Sequence, residues 1–124
     1  MIQPMPNDAF ELLNELIKRT TAGDVQWQSA GDGTTFVLTT LSGSVSIESV
    51  DGDGNHPYLV SFLTPDGVRA DSWSSVERGD GEFEFAPYGS TIGDLYDVAR
   101  RNAQGSTQLI RGLLKDIRKD DIQF

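Results

Sequence analysis

Phe36-Val37-Leu38-Thr39-Thr40-Leu41, then Ser42-Gly43, then Ser44-Val45-Ser46-Ile47-Glu48: this stretch reads with a period of two on both sides of a two-residue turn. Phe36, Leu38 and Thr40 share one strand face, and Val37, Thr39 and Leu41 share the other. Val45 and Ile47 alternate with Ser46 and Glu48 in the same way. Upstream, Val25, Trp27 and Ser29 alternate with Gln26 and Gln28, and Asp32-Gly33 supplies a hairpin turn signal. Downstream, Asp51-Gly52-Asp53-Gly54-Asn55 is a longer turn cluster. Tyr58 to Thr64 is the most apolar of the strands, with Leu59 and Leu63 on one side and Val60 and Phe62 on the other, and it reads as the central one. Pro65-Asp66-Gly67 turns the chain into a more polar strand, Val68 to Val76, that carries Trp73. Five strands joined by four short connections predict an antiparallel meander, since parallel crossovers need a dozen or more residues each. Glu82-Phe83-Glu84-Phe85 alternates as well, and the glycines before it mark a short or edge piece.

Helical patterns bracket the strands. Phe10, Leu13, Leu16, Ile17 and Thr20 fall on one helical face, with Asp8 and Glu11 in capping-box relation and Gly23 suited to the left-handed helix end. Near the C-terminus a helix opens around Ser90 or Thr91, where Asp94 stands in capping relation to Thr91. Ile92, Leu95, Tyr96 and Ala99 form its inner stripe. Gly105 ends it and Ser106 caps a further helix whose stripe is Leu109, Ile110, Leu113, Leu114 and Ile117. The predicted fold is α+β: an N-terminal helix, a five-stranded antiparallel meander, and one broken or two short C-terminal helices packed on one sheet face. The 124 residues form one domain, with 1–7 as a flexible arm. Helices on one face leave the other to be covered. Val37, Leu41, Leu59 and Leu63 make parts of it apolar, which invites a partner or a second copy.

Composition narrows the function. Net charge is −9, distributed as −4 over residues 1–50, −6 over 51–90 and +1 over 91–124. Such a field repels nucleic acid and anionic membranes and attracts basic partners. No cysteine is present, which removes disulfides, thiolate nucleophiles and cysteine-based metal sites. The first residues lack the basic and apolar segments of a signal peptide, and no apolar run approaches the ~18 residues of a membrane span. The expectation is a soluble cytoplasmic protein.

Two segments resemble those of a widespread group of small, functionally uncharacterised bacterial proteins. Thr20-Thr21-Ala22-Gly23-Asp24-Val25-Gln26-Trp27 is similar to their Thr-x-x-Gly-x-Val-x-Trp segment. Leu95-Tyr96-Asp97-Val98-Ala99-Arg100-Arg101 is similar to their Leu-Tyr-x-x-Ala-Arg-Arg helix. With the aliphatic tail through Ile117 the likeness covers about two-fifths of the chain. It implies the helix, meander, helices order and brings no catalytic or binding residues with it.

Motifs of chemistry are sparse. His56 is the sole histidine, set in a turn cluster without a nucleophile elbow, so a Ser-His-Asp triad would need Asp51 or Asp53 and a distant serine. Asp51-x-Asp53-x-Asn55 imitates the start of a calcium loop, but His56 and Phe62 stand where glycine and glutamate belong. Gly52-x-Gly54 lacks the rest of a dinucleotide fingerprint, and Gly89-Ser90-Thr91-Ile92-Gly93 lacks the P-loop lysine. No metal or cofactor is implied. The candidate contact residues are the acids Asp51, Asp53, Glu82 and Glu84 and the pair Arg100-Arg101. The expected function is that of a small acidic, non-enzymatic interaction module — an inhibitor, immunity-type or adaptor protein — that meets a protein with a basic or apolar surface, a homodimer being one option. The alternatives are a secretion-chaperone-like acidic protein and an enzyme using Glu82, Glu84, Asp51 or Asp53.

Overall fold

A helix, α1, runs from Asn7 to Ala22 and buries Leu13, Leu16 and Thr20. In the computed structural model, residues 5–79, 82–86 and 88–119 are described, with side chains at 77–79, 82–85 and 107 left aside. The sequence places the helix start at Asp8 with a capping box. Instead Pro6 stands at the N-cap, no side chain caps the end, and Asp8 lies in the first turn. Proline there sets the backbone for a helix without donating a hydrogen bond. Gly23 ends α1 in the left-handed conformation, and its N–H reaches the carbonyls of Arg19 and Thr20.

Five antiparallel strands follow in spatial order β1-β2-β3-β4-β5: Gln28–Ser29, Thr35–Thr40, Gly43–Ser49, Tyr58–Leu63 and Arg69–Ser74. This is the expected meander. The central strand is β3, and the more apolar β4 lies beside it. The register aligns Phe36, Ile47, Val60 and Trp73 in one row, and Leu38, Val45 and Phe62 in the next. These rows face the helices and form the core with Trp27, Leu13, Leu16 and the inner stripe of the later helix. The opposite face carries Val37, Ser46, Ser61 and Ser72 in a row, flanked by Leu59 and Leu63. Leu41 sits apart in the β2–β3 turn, wholly exposed.

After β5 the chain breaks at buried Ser75 and enters a second, two-stranded sheet, β6 (Val76–Gly79) and β7 (Glu82–Phe85). Ser75 joins the sheets: its N–H bonds to Tyr58 O, and its carbonyl accepts the N–H of Ala86. The helix α2 then spans Gly89–Gln104 and buries Ile92, Leu95, Tyr96 and Ala99, the stripe read from periodicity. It opens at Gly89, earlier than Thr91, with no side-chain cap. It lies against α1 and across β1 to β4. Gly105 ends it in the left-handed conformation and α3, Ser106–Arg118, follows at once, with Ser106 its first residue rather than its cap. No described helix is long and apolar enough to cross a membrane.

Gly43 carries the tightest glycine constraint. Its φ is +151°, and a Cβ there would collide with the carbonyl oxygen of Leu63 on the neighbouring strand. Gly54, at φ +79°, has open space around it. Gly43→Ala is therefore expected to lower stability by about 3 kcal/mol, in the range of severe single substitutions. Gly54→Ala should cost about 1 kcal/mol, the strain of the left-handed region alone. Urea unfolding with an unchanged m-value measures both.

Candidate functional site

The Thr20–Trp27 segment and the Arg-Arg helix meet in one hydrogen-bonded junction. The Trp27 indole is buried, and its Nε1 donates to Thr20 Oγ1 at 2.9 Å. Asn102, on the last turn of α2, donates from Nδ2 to Val25 O at 2.9 Å and accepts the Trp27 N–H at its Oδ1 at 2.7 Å. Its carboxamide thus supplies the donor and acceptor that a neighbouring strand would offer. The Gln26 side chain returns to the Asn102 carbonyl at 3.2 Å. Thr20, Gly23, Val25 and Trp27 serve architecture here, and Asn102, which the sequence reading passed over, is their partner.

Arg100 and Arg101 share one carboxylate. Arg100 reaches Asp97 at 3.1 Å and Arg101 reaches it at 3.2 Å, with Asp97 half exposed. Exposed pairs of this kind contribute little to stability. Arg101 and Arg111 also line a groove of about 290 Å³ among the C-terminal ends of α1 and α2 and the start of α3. Helix C-termini carry partial negative charge, which the two guanidinium groups offset.

His56 packs on Tyr58, with ring centroids 4.3 Å apart, and its Nδ1 lies 2.8 Å from Ser75 Oγ. That hydroxyl also accepts the Tyr58 N–H at 2.8 Å and is fully buried. The structure therefore does bring a serine to the histidine, but as a buried brace between β4, β5 and the loop. Gly93 of α2 lies against the imidazole, where a Cβ would come within 3.2 Å of Cε1. Tyr58 stacks on Tyr96 at 4.2 Å. Burial pushes both phenols above their ordinary range; Asp53 and Asp97 add to this at Tyr58, and Arg100 opposes it. A cleft of about 490 Å³ opens beside His56, Tyr58, Ser90 and Asp94. Asp51 and Asp53 do not line it.

The Asp51–Asn55 loop is folded on itself. Asp53 Oδ1 accepts the Asn55 N–H at 2.9 Å, and buried Ser49 holds Gly54 N and Asn55 O through its hydroxyl. The Asn55 amide, with the Ser49 hydroxyl, holds Asp53 below the ordinary aspartate range. Asp32 is held low likewise, by the Thr35 hydroxyl and the Thr34 and Thr35 amides. Among the described residues no cluster of three His, Asp or Glu is placed to hold a metal ion. Glu82 and Glu84 stand on β7, opposite Gly79 and Glu77, and their side chains lie outside those described.

Asp53 and Arg100 thus lie within electrostatic reach of the same tyrosine, Tyr58. A different surface stands out. On α3 the five aliphatic residues Leu109, Ile110, Leu113, Leu114 and Ile117 are between 45 and 63% exposed. At 3.6 residues per turn they cover an arc of roughly 140°. Arg111, Lys115, Arg118 and Lys119 occupy the other face of the helix.

No family model, curated protein or solved structure matches this chain. The reading of function rests on the molecule itself.

Asn102→Ala should cost about 2 kcal/mol, because it leaves the Val25 carbonyl and the Trp27 amide without partners. Thr20→Val strands the buried indole N–H and is expected to cost a similar amount. A double-mutant cycle should show coupling, since both changes loosen the same tryptophan. Asp32 and Asp53 are depressed in the folded state, so their stabilising contribution is full above the ordinary aspartate range and is lost as pH falls through their folded values. Acid unfolding followed by circular dichroism should begin at higher pH in Asp32→Asn than in the wild type.

Proposed function

We propose that this chain is a small acidic interaction module without a catalytic role, of the inhibitor, immunity or adaptor kind, acting in the cytoplasm through α3. One observation carries the reading: a complete helical stripe of large aliphatic side chains faces outward. Scattered exposed apolar residues are ordinary on any protein, whereas a contiguous arc of five on one helix is the signature of a docking surface. Helix-in-groove recognition uses such i, i+3, i+4, i+7 anchors, which Ile110, Leu113, Leu114 and Ile117 supply.

The remaining surfaces support the same reading. The serine beside His56 is buried and already hydrogen-bonded, so it is not presented to a substrate. The acidic loop satisfies its own polar groups. The sheet face left uncovered by the described residues is mostly serine and threonine, and its three apolar residues Val37, Leu59 and Leu63 are half-buried. The acidic body fits the module to basic surroundings and keeps it apart from nucleic acid.

A photo-crosslinking amino acid placed at Leu113 in the native cell should give discrete protein adducts. The same group at Lys115, on the polar side of α3, should give fewer. A folded Leu113 variant that yields no protein adduct, or yields only lipid adducts, would overturn the proposal.

A further inference from the structure

The groove of about 290 Å³ at the start of α3 is separate from the aliphatic arc. Gln108 and Arg111 line it from the side of α3 turned away from that arc. Arg111 forms no ion pair and no hydrogen bond among the described residues. Arg101 gives its Nε to Asp97 at 3.2 Å, and its two terminal nitrogens are uncommitted among the described residues. Two guanidinium groups with donors to spare therefore stand beside one concavity. Its other polar groups come from the junction with Trp27. Buried Thr20 accepts the indole N–H at 2.9 Å, and its own hydroxyl proton has no acceptor among the described residues. Gln26 donates from Nε2 to the carbonyls of Trp27 and Asn102, at 3.1 and 3.2 Å. Those two bonds fix its carboxamide and leave Oε1 to accept a further hydrogen bond.

Charge decides what the groove can hold. Asp97 also lines it, and Arg100 cancels that carboxylate at 3.1 Å. Arg101 and Arg111 remain as two full positive charges. The C-termini of α1 and α2 each bring roughly half a negative charge, and the N-terminus of α3 roughly half a positive one. Further out, Lys18 and Arg19 balance Glu15 and Asp24. A local surplus of about one and a half positive charges is left, on a chain whose net charge is −9. One carboxylate matches that surplus, whereas a polyanion exceeds it and meets the repulsion of the body. The volume lies at the low end of the roughly 300 to 1,000 Å³ of small-molecule sites, which suits a single amino-acid unit.

We infer that this groove takes one α-amido carboxylate: the last residue of a peptide chain, or a free N-acylated amino acid bearing the same groups. Arg101 and Arg111 hold the carboxylate through their planar forks, and the Thr20 hydroxyl is a further donor. Gln26 Oε1 accepts the amide N–H of the same residue. The site owes nothing to the aliphatic arc, so the crosslinking result at Leu113 does not bear on it.

N-acetylalanine is the smallest probe that carries both groups. In isotope-labelled protein it should move the side-chain Nε–H resonances of Arg101 and Arg111 in a saturable way. N-acetylalaninamide, which lacks the charge, should not. O-acetyllactate, which replaces the N–H by an ester oxygen, should bind more weakly than N-acetylalanine. Arg111→Gln should weaken binding at least roughly tenfold, as expected for loss of a charge-assisted hydrogen bond. Arg111 is exposed and unpaired among the described residues, so the urea midpoint should stay in place, which separates loss of the site from loss of fold. Arg111→Lys keeps the charge without the fork and should recover part of the affinity. Acetyl-Ala-Ala-Ala binding at least roughly tenfold tighter than N-acetylalanine assigns the end of a partner's chain, and equal affinity assigns the free acid. No saturable shift, an equal response to N-acetylalaninamide or to chloride at the same ionic strength, equal binding of O-acetyllactate, or unchanged affinity in Arg111→Gln would each overturn the inference.

Discussion

The carboxamide of Asn102 determines how the helical layer meets the sheet. Strand β1 is two residues long and pairs only with β2, so its approach has no partner strand on the other side. Asn102 provides one from a helix. With Val25 and Trp27 held on α2, the tryptophan drops into the core and its indole is tied back to Thr20 on α1. A single side chain thereby fixes α1, the entry to β1 and the end of α2 relative to one another. The inner rows of the sheet, from Phe36 to Trp73, then close against helices whose spacing is already set. Interior side chains tolerate little free volume, so the junction and the rows constrain each other.

The molecule spends its apolar residues on one side of the sheet. Small serines line much of the other side, which limits the apolar area left open there without a third layer. The chain's remaining aliphatic surplus is carried by α3. Charge is separated in a parallel way, with acids on the body and bases on the final helix. Two imbalances, one of polarity and one of charge, therefore coincide on α3.

Much of this architecture is legible in the sequence, for identifiable reasons. Ile92, Leu95, Tyr96 and Ala99 repeat with helical period, and all four are buried. Val45 and Ile47 alternate with polar neighbours and point inward, and Gly23 and Gly105 end helices as glycine commonly does. β4 is the most apolar strand without being the central one. In a sheet that the described residues cover on one face only, the central strand β3 keeps Ser44, Ser46 and Glu48 on its open side and so looks more polar than its neighbour. Pro6 and Tyr88 begin helices without side-chain caps, so Asp8 and Thr91 do not cap them. Asn102 was invisible because one polar residue in a helix carries no periodic signal; its role depends on a contact with residue 27. Charge alone did not show that Asp53, Arg100 and Arg101 are each answered by near neighbours. Periodicity did reveal the stripe on α3, but not the direction in which it faces.

The thirteen residues of α3 have a consequence for how any association would be read out. A helix of that length is near the limit of stability in water when it has nothing to lean on. It adjoins α2, and its aliphatic residues stay between 45 and 63% exposed. Were α3 to dock on a partner as proposed, its winding and its binding would be one equilibrium, with part of the contact energy consumed in ordering backbone. The protection of α3 amides against hydrogen exchange becomes a direct gauge of occupancy, while the amides of the central strands report the stability of the body.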